Sequence, residues 1–275
     1  MIVARPSESL HWYAKDGSPK YSVVGKNGSE RSTTLRDART LGLVPSVTTI
    51  IKCAASPGLE AWKLNQMMLA ALTLPRVNGE PEEAFIQRVV SDSKEQARMA
   101  AERGTAVHAA LESFYQGVMH AEYMEHQAAV DRAVMGVFGD REWSTEKSFA
   151  HELGFGGKVD LHSKTGEGVV IDFKTKEFTH SDKDSIRAYD EHCMQLAAYR
   201  VGLGVPEARC ANVFVSVTEP GLVVVYEWLQ EDLKRGWNMF QSLLTFWKLK
   251  NKFDPNEAGV EPSLFSSTSA QGVTS

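Results

Sequence analysis

Two periodicities divide the chain. From Glu82 to Tyr115, apolar and small residues recur at helical spacing, with Ala97, Ala100, Gly104, Val107, His108, Leu111 and Phe114 on one stripe, and this predicts one long helix. A second helix is expected from Ala121 to Phe138, closed by Gly139. The pattern then changes to alternation, and Glu146–Glu152, Gly157–His162 and Gly168–Phe173 read as three consecutive strands. Residues 163–168 supply the turn between the last two. A helix over Ser185–Gly202, strands over Ala211–Val217 and Leu222–Trp228, and an amphipathic helix over Gln230–Lys250 complete the series. The order predicts an α/β fold, a central mixed sheet flanked by helices.

Ahead of the long helix the chain is polar and rich in Gly, Ser and aromatics as far as Arg36. His11–Val24 reads as a hairpin around Asp16-Gly17. Pro45 and Ser46 mark a helix start. A helix over Gly58–Leu72 is expected to carry Leu59, Trp62, Met67 and Leu69 into a core. Three regions follow: 1–90, a hairpin and mostly helical part; 91–252, the mixed-sheet core; and 253–275, a polar tail expected to be flexible.

Composition narrows the function classes. A net charge of −5 argues against a protein that coats nucleic acid by bulk charge, although it leaves room for a local acidic site that binds cations. The sequence has no long uncharged apolar run, so no membrane partner is expected. The N-terminus lacks the basic-then-apolar layout of a signal peptide, which makes the cytoplasm the expected location. Cys53, Cys193 and Cys210 are widely spaced, so no cysteine-bound zinc or iron–sulfur cluster is expected.

Candidate chemistry gathers on the predicted hairpin. Asp160 and Asp172 lie equally far from Gly166 at the middle of its turn, so a hairpin closed there sets them opposite each other on one face. Two facing carboxylates repel unless a cation lies between them. Lys174, two residues beyond Asp172, shares that face, whereas Val169, Ile171 and Phe173 face the core. Oxygen ligands of this kind favour Mg²⁺ or Mn²⁺. His108 lies on the apolar stripe of its helix and is expected to point inward, with Glu112 four residues on and able to take the imidazole N–H. On the helix after the hairpin, His192, Gln195 and Tyr199 form a polar strip beside Ile186, Tyr189, Cys193 and Leu196. Each piece alone is more often an ordinary structural feature than a site.

Taken in order, Gly104-Thr-Ala-Val-His108, Gly157-Lys-Val-Asp160, Asp172-Phe-Lys174 and Gln195-Leu-Ala-Ala-Tyr199 resemble the RecB-type exonuclease branch of the PD-(D/E)XK nucleases. That branch includes phage exonucleases and the mitochondrial genome-maintenance exonuclease. The resemblance covers Gly104 to Tyr199 and implies a restriction-endonuclease-like core. It implies a Mg²⁺- or Mn²⁺-dependent DNA exonuclease of bacterial or phage DNA recombination or repair, with one or two ions. The alternatives are an inactive DNA-binding module of the same fold, an endonuclease, or a hydrolase of small phosphodiesters. It also implies that Asp160, Asp172, the Phe173 carbonyl and His108 hold metal, and that Lys174 activates water. Gln195 and Tyr199 would brace the site or touch DNA. Glu146 matches a frequent acidic position, and the segment holding Ser46 and Thr48 would help to bind DNA. The implied partners are a DNA end or single strand and a single-strand annealing or binding protein. Arg39, Lys52, Lys63, Lys158, Lys176 and Lys183 are candidate phosphate contacts. The sequence leaves the oligomeric state open.

Overall fold

The structure is a computed structural model describing residues 11–55, 57–163 and 168–257. Gly166, the Ser56 position and the tail beyond residue 257 lie outside the described residues. The polar N-terminal part folds as β1 (Trp12–Tyr13), β2 (Ser22–Val24), β3 (Glu30–Ser32), α1 (Leu35–Leu41), β4 (Val44–Pro45) and α2 (Val47–Ile51). Chain reversal at Asp16-Gly17 takes place as expected, with Gly17 at φ 85° and Asp16 Oδ1 accepting from the Ser18 amide at 2.8 Å. The hairpin goes no further than one bridge, Tyr13 to Pro19. Its bonds run from the Ala14 amide to the Ser18 carbonyl and from the Lys20 amide to the Trp12 carbonyl, so Pro19 is tolerated there without an N–H. β1 instead pairs with β4, and β2 with β3. Ser46 caps α2 as predicted, its hydroxyl accepting from the Thr49 amide at 3.0 Å.

α3 (Pro57–Thr73) and α4 (Glu82–Tyr115) follow, so the division proposed at residue 90 falls inside one continuous helix. The expectation that α3 feeds a core is corrected. Trp62 is 40%, Met67 41% and Leu69 53% exposed, and the side chain of Leu59 lies outside those described. The helix packs on α4 through Ala70, which joins Phe85, Val89 and Leu74 in a small cluster separate from the sheet. A helix docked along one line on a single neighbour cannot bury a wide apolar surface.

α5 (Met124–Phe138) ends at Gly139, in positive φ. β5 (Trp143–His151), β6 (Phe155–Ser163), β7 (Val169–Lys176), α6 (Asp190–Gly202), β8 (Arg209–Ser216), β9 (Val223–Trp228) and α7 (Gln230–Asn251) complete the chain. α6 starts five residues later than the pattern suggests. Tyr189 is its extended N-cap, and the backbone carbonyl of Arg187 is taken by Lys176 at 3.3 Å. Ile186 and Tyr189 therefore precede the helix, and Tyr189 is exposed.

The sheet order is β5-β6-β7-β8-β9, antiparallel except for the β7–β8 pair, which is parallel across the α6 connection. One face packs Val107 and Leu111 of α4 and Val130, Val134 and Phe138 of α5 on Leu161, Val169, Ile171, Phe173, Val213 and Val215. The other buries Val170 and Cys210 under α2, α6 and α7, with Leu196, Phe240, Leu244 and Trp247. This is the α/β, restriction-endonuclease-like arrangement with a mostly helical N-terminal region. Among the described residues no helix is long and apolar enough to cross a membrane.

Candidate active site

The strand register agrees with a hairpin centred on residue 166, since Leu161 pairs with Ile171 and His162 with Val170. The ladder stops there. At the next step, where Asp160 would face Asp172, backbone pairing ends, and Oδ2 of Asp160 takes the Phe173 amide at 2.8 Å instead. On its other edge β6 pairs with β5 on both sides of Asp160, at Thr145–Leu161 and Lys147–Val159, but not at Asp160 itself. The residue left out opposite is Glu146, whose backbone is at φ 55°. A non-glycine residue in that region is strained, and such residues concentrate at functional sites. β6 and β7 therefore part at Asp160, and this fork opens beside the predicted residues.

Asp172 lies at the root of the fork, 2% exposed. Its Oδ1 accepts from Gln195 Nε2 at 2.9 Å and Lys174 Nζ at 3.0 Å. Its Oδ2 accepts from Asn212 Nδ2 at 2.8 Å and lies 2.8 Å from Lys174 Nζ. A carboxylate offers about four lone-pair sites, so Asp172 is fully engaged. Asn212, the parallel-strand neighbour of Asp172, is itself oriented by Trp228, whose Nε1–H donates to Asn212 Oδ1 at 2.8 Å. Indole can only donate, which fixes the amide with its NH₂ toward Asp172. Gln195 is bidentate in role. Its Oε1 accepts from Lys174 at 3.0 Å, and its Nε2 also donates to Tyr199 OH at 3.0 Å. Asp172, Lys174, Gln195 and Tyr199 thus meet in one network.

His108 sits at the edge of this group. Its side chain is 36% exposed, Nδ1 lies 3.8 Å from Asp160 Oδ2, and its ring meets Phe173 edge-on at 6.3 Å. It points to the fork, not into the core. Gly104, one turn earlier, lets α4 approach β7, because a Cβ there would lie 2.6 Å from Thr175 Oγ1. Gly157 serves similarly on β6, where a Cβ would lie 2.8 Å from the Tyr199 ring. Glu112 accepts from Gln116 Nε2 at 3.2 Å, and Glu146 forms an ion pair with Lys158. Ser46 and Thr48 meet at the start of α2, their hydroxyls 3.0 Å apart. Ser46 bridges to Gly156, about 13 Å along β6 from Asp160 at ~3.3 Å per residue.

The donor types suit a hard divalent cation, with carboxylates from Asp160 and Asp172, the Phe173 carbonyl, and an imidazole nearby. Among the described residues no three His, Cys, Asp or Glu side chains converge as a ready-made metal cluster. A cation at Asp172 would have to displace Lys174 from one oxygen.

Lys176, two residues past Lys174, has its pKa lowered by burial and by the Lys174 charge. Burial, with the Lys174 charge next, pushes His192 down to about 4, against a smaller opposing pull from Asp172. His192 is therefore neutral near pH 7, with Nδ1 accepting the Tyr189 amide at 3.2 Å.

The Asn212–Trp228 support was not among the residues singled out from sequence. Its one signal was a lone amide inside the apolar strand Cys210–Val215.

No family model matches this chain, and no curated protein matches it. Among solved structures it is similar to SSO0001, at 15% identity and a TM-score of 0.30, over 67% of this chain and 86% of the other. It is also similar to an alkaline exonuclease, LHK-Exo, from Laribacter hongkongensis, at 15% identity and a TM-score of 0.32, over 63% and 88%. The likeness is weak and partial, and it carries no information about chemistry.

Proposed function

We propose that this chain is a Mg²⁺- or Mn²⁺-dependent deoxyribonuclease that degrades DNA from an end, in DNA recombination or repair. The observation that supports it is the fork between β6 and β7, where Asp160, Asp172 and Lys174 lie at one opening, braced by Gln195 and Asn212. Asp160, Asp172 and the Phe173 carbonyl would hold the cation, with His108 beside them. A divalent ion bound there supplies Lewis-acid stabilisation of charge on the phosphoryl oxygens. Lys174 Nζ orients the attacking water and can exchange a proton with it. Gln195 Oε1 keeps that ammonium at the fork, and Tyr199 fixes Gln195. Asn212 and Trp228 hold the Asp172 carboxylate in a single rotamer.

A second reading is a DNA-binding module without catalysis. The full engagement of Asp172 by protein donors favours it.

Digestion of linear DNA labelled at either end, beside closed circles, with Mg²⁺, Mn²⁺ or EDTA, separates the two. The nuclease reading predicts metal-dependent loss of linear DNA, sparing of circles, and a fall of about 10²-fold or more in Lys174→Met. DNA binding indifferent to EDTA, with no cleavage in any metal, would establish the module instead.

A further inference from the structure

The face of β7 that carries Asp172 and Lys174 continues to Lys176, one side-chain step on, about 6.6 Å at ~3.3 Å per residue. Lys176 is half-buried, yet among the described residues no carboxylate pairs with it. Its ammonium lies 4.9 Å from the Tyr189 ring centre and 4.8 Å from that of Phe214, and donates to the Arg187 carbonyl at 3.3 Å. His192 packs against both rings, at 5.6 Å and 5.8 Å, and fixes them. Arg187 is exposed, and among the described residues its guanidinium bonds the backbone carbonyls of Asp184 and Ile186. Asp190, at the start of α6, is turned to Arg235 on α7 at 3.0 Å. Tyr189 is 51% exposed, an aromatic face standing in solvent above a cation.

A partly desolvated lysine without an acidic partner is an unmet demand for an anion. An exposed aromatic ring over one such cation, with an exposed arginine two residues before it in the chain, is the pairing that binds single-stranded nucleic acid, in which phosphates meet the charges and a base stacks on the ring. We propose that Lys176, Arg187 and Tyr189 form a subsite for the single-stranded nucleotide adjacent to the bond cut at the fork. Lys176 and Arg187 take its phosphates and Tyr189 stacks its base. The proposal rests on the nuclease reading for the identity of the fork, but it is tested by binding and needs no cleavage.

The test is fluorescence anisotropy of a labelled oligothymidylate with the full chain in EDTA, across a salt series. The variants are Lys176→Gln, Lys176→Arg, Arg187→Gln, Tyr189→Ala and Tyr189→Phe, each checked for native melting. Tyr189→Ala should weaken binding about tenfold, and Tyr189→Phe should restore it. Lys176→Gln and Arg187→Gln should each lower the salt slope by about 0.7, the single-strand value per phosphate, and Lys176→Arg should keep it. Unchanged affinity and slope in well-folded Lys176→Gln and Tyr189→Ala would overturn the subsite while leaving the nuclease reading intact. Equal losses on blunt duplex and on single strand would overturn its single-strand character. Metal-dependent cleavage of linear DNA by the wild type, scored separately, reports on the nuclease reading alone. A wild type that binds no oligothymidylate overturns the subsite.

Discussion

Replacing Asn212 with Ala should be strongly destabilising. Asn212 is fully buried. The change removes a hydrogen bond to a buried carboxylate, worth ~1.5–3 kcal/mol, and strands the Trp228 indole N–H, a further ~1–3 kcal/mol. The two share one side chain and overlap, so the expected loss is about 4 kcal/mol, a large part of the ~5–15 kcal/mol that holds a domain together. For a chain of this size that corresponds to a fall of about 10 °C in Tm. Urea titration at low temperature, alone and in a double-mutant cycle with Trp228→Phe, measures it. If Trp228 acts through Asn212, the double variant should cost at least about 1 kcal/mol less than the sum of the singles. A loss below about 1 kcal/mol for Asn212→Ala, or strict additivity, would refute the relay.

Other consequences follow from the same geometry. Gly104→Ala gains about 1 kcal/mol of helix propensity but drives a methyl against Thr175 Oγ1, and overpacking of that kind costs ~1–3 kcal/mol; thermal melts should show net destabilisation, reversed by adding Thr175→Ala. His192 has a folded pKa below its unfolded one, so its stabilising contribution is complete above pH 6.5 and is lost as the pH falls through about 4. The loss is about 3 kcal/mol, and His192→Gln should flatten that limb of a stability–pH curve. Burial pushes the Cys193 thiol to about 11 and Cys210 to about 12, so iodoacetamide should modify neither until the chain unfolds, as mass spectrometry would read.

What was legible in the sequence is what local pattern encodes. The alternation of Val169, Ile171 and Phe173 with Asp172 and Lys174 set the two faces of β7, and the spacing of Gln195 and Tyr199 placed both on one side of α6. The placement of Asn212 beside Asp172 was not legible, because it depends on the crossover through α6 that lays β8 against β7. Nor was the fork, since a strand's composition does not say where its ladder lapses. His108 reads as inward because the stripe around it is apolar, although that stripe covers a sheet whose inner strands β6 and β7 part beside it. The exposed apolar residues of α3 show the same limit. Periodicity reports which face is apolar, and only the fold decides whether anything covers it.

We propose that Asp160 and Asp172 together take up a divalent ion at the fork. Calorimetric titration of the wild type, Asp160→Asn and Asp172→Asn with Mn²⁺ tests it without any nucleic acid. Saturable uptake by the wild type, abolished or weakened at least about tenfold in each variant, is the predicted result. No uptake by the wild type, or uptake indifferent to both substitutions, would contradict it.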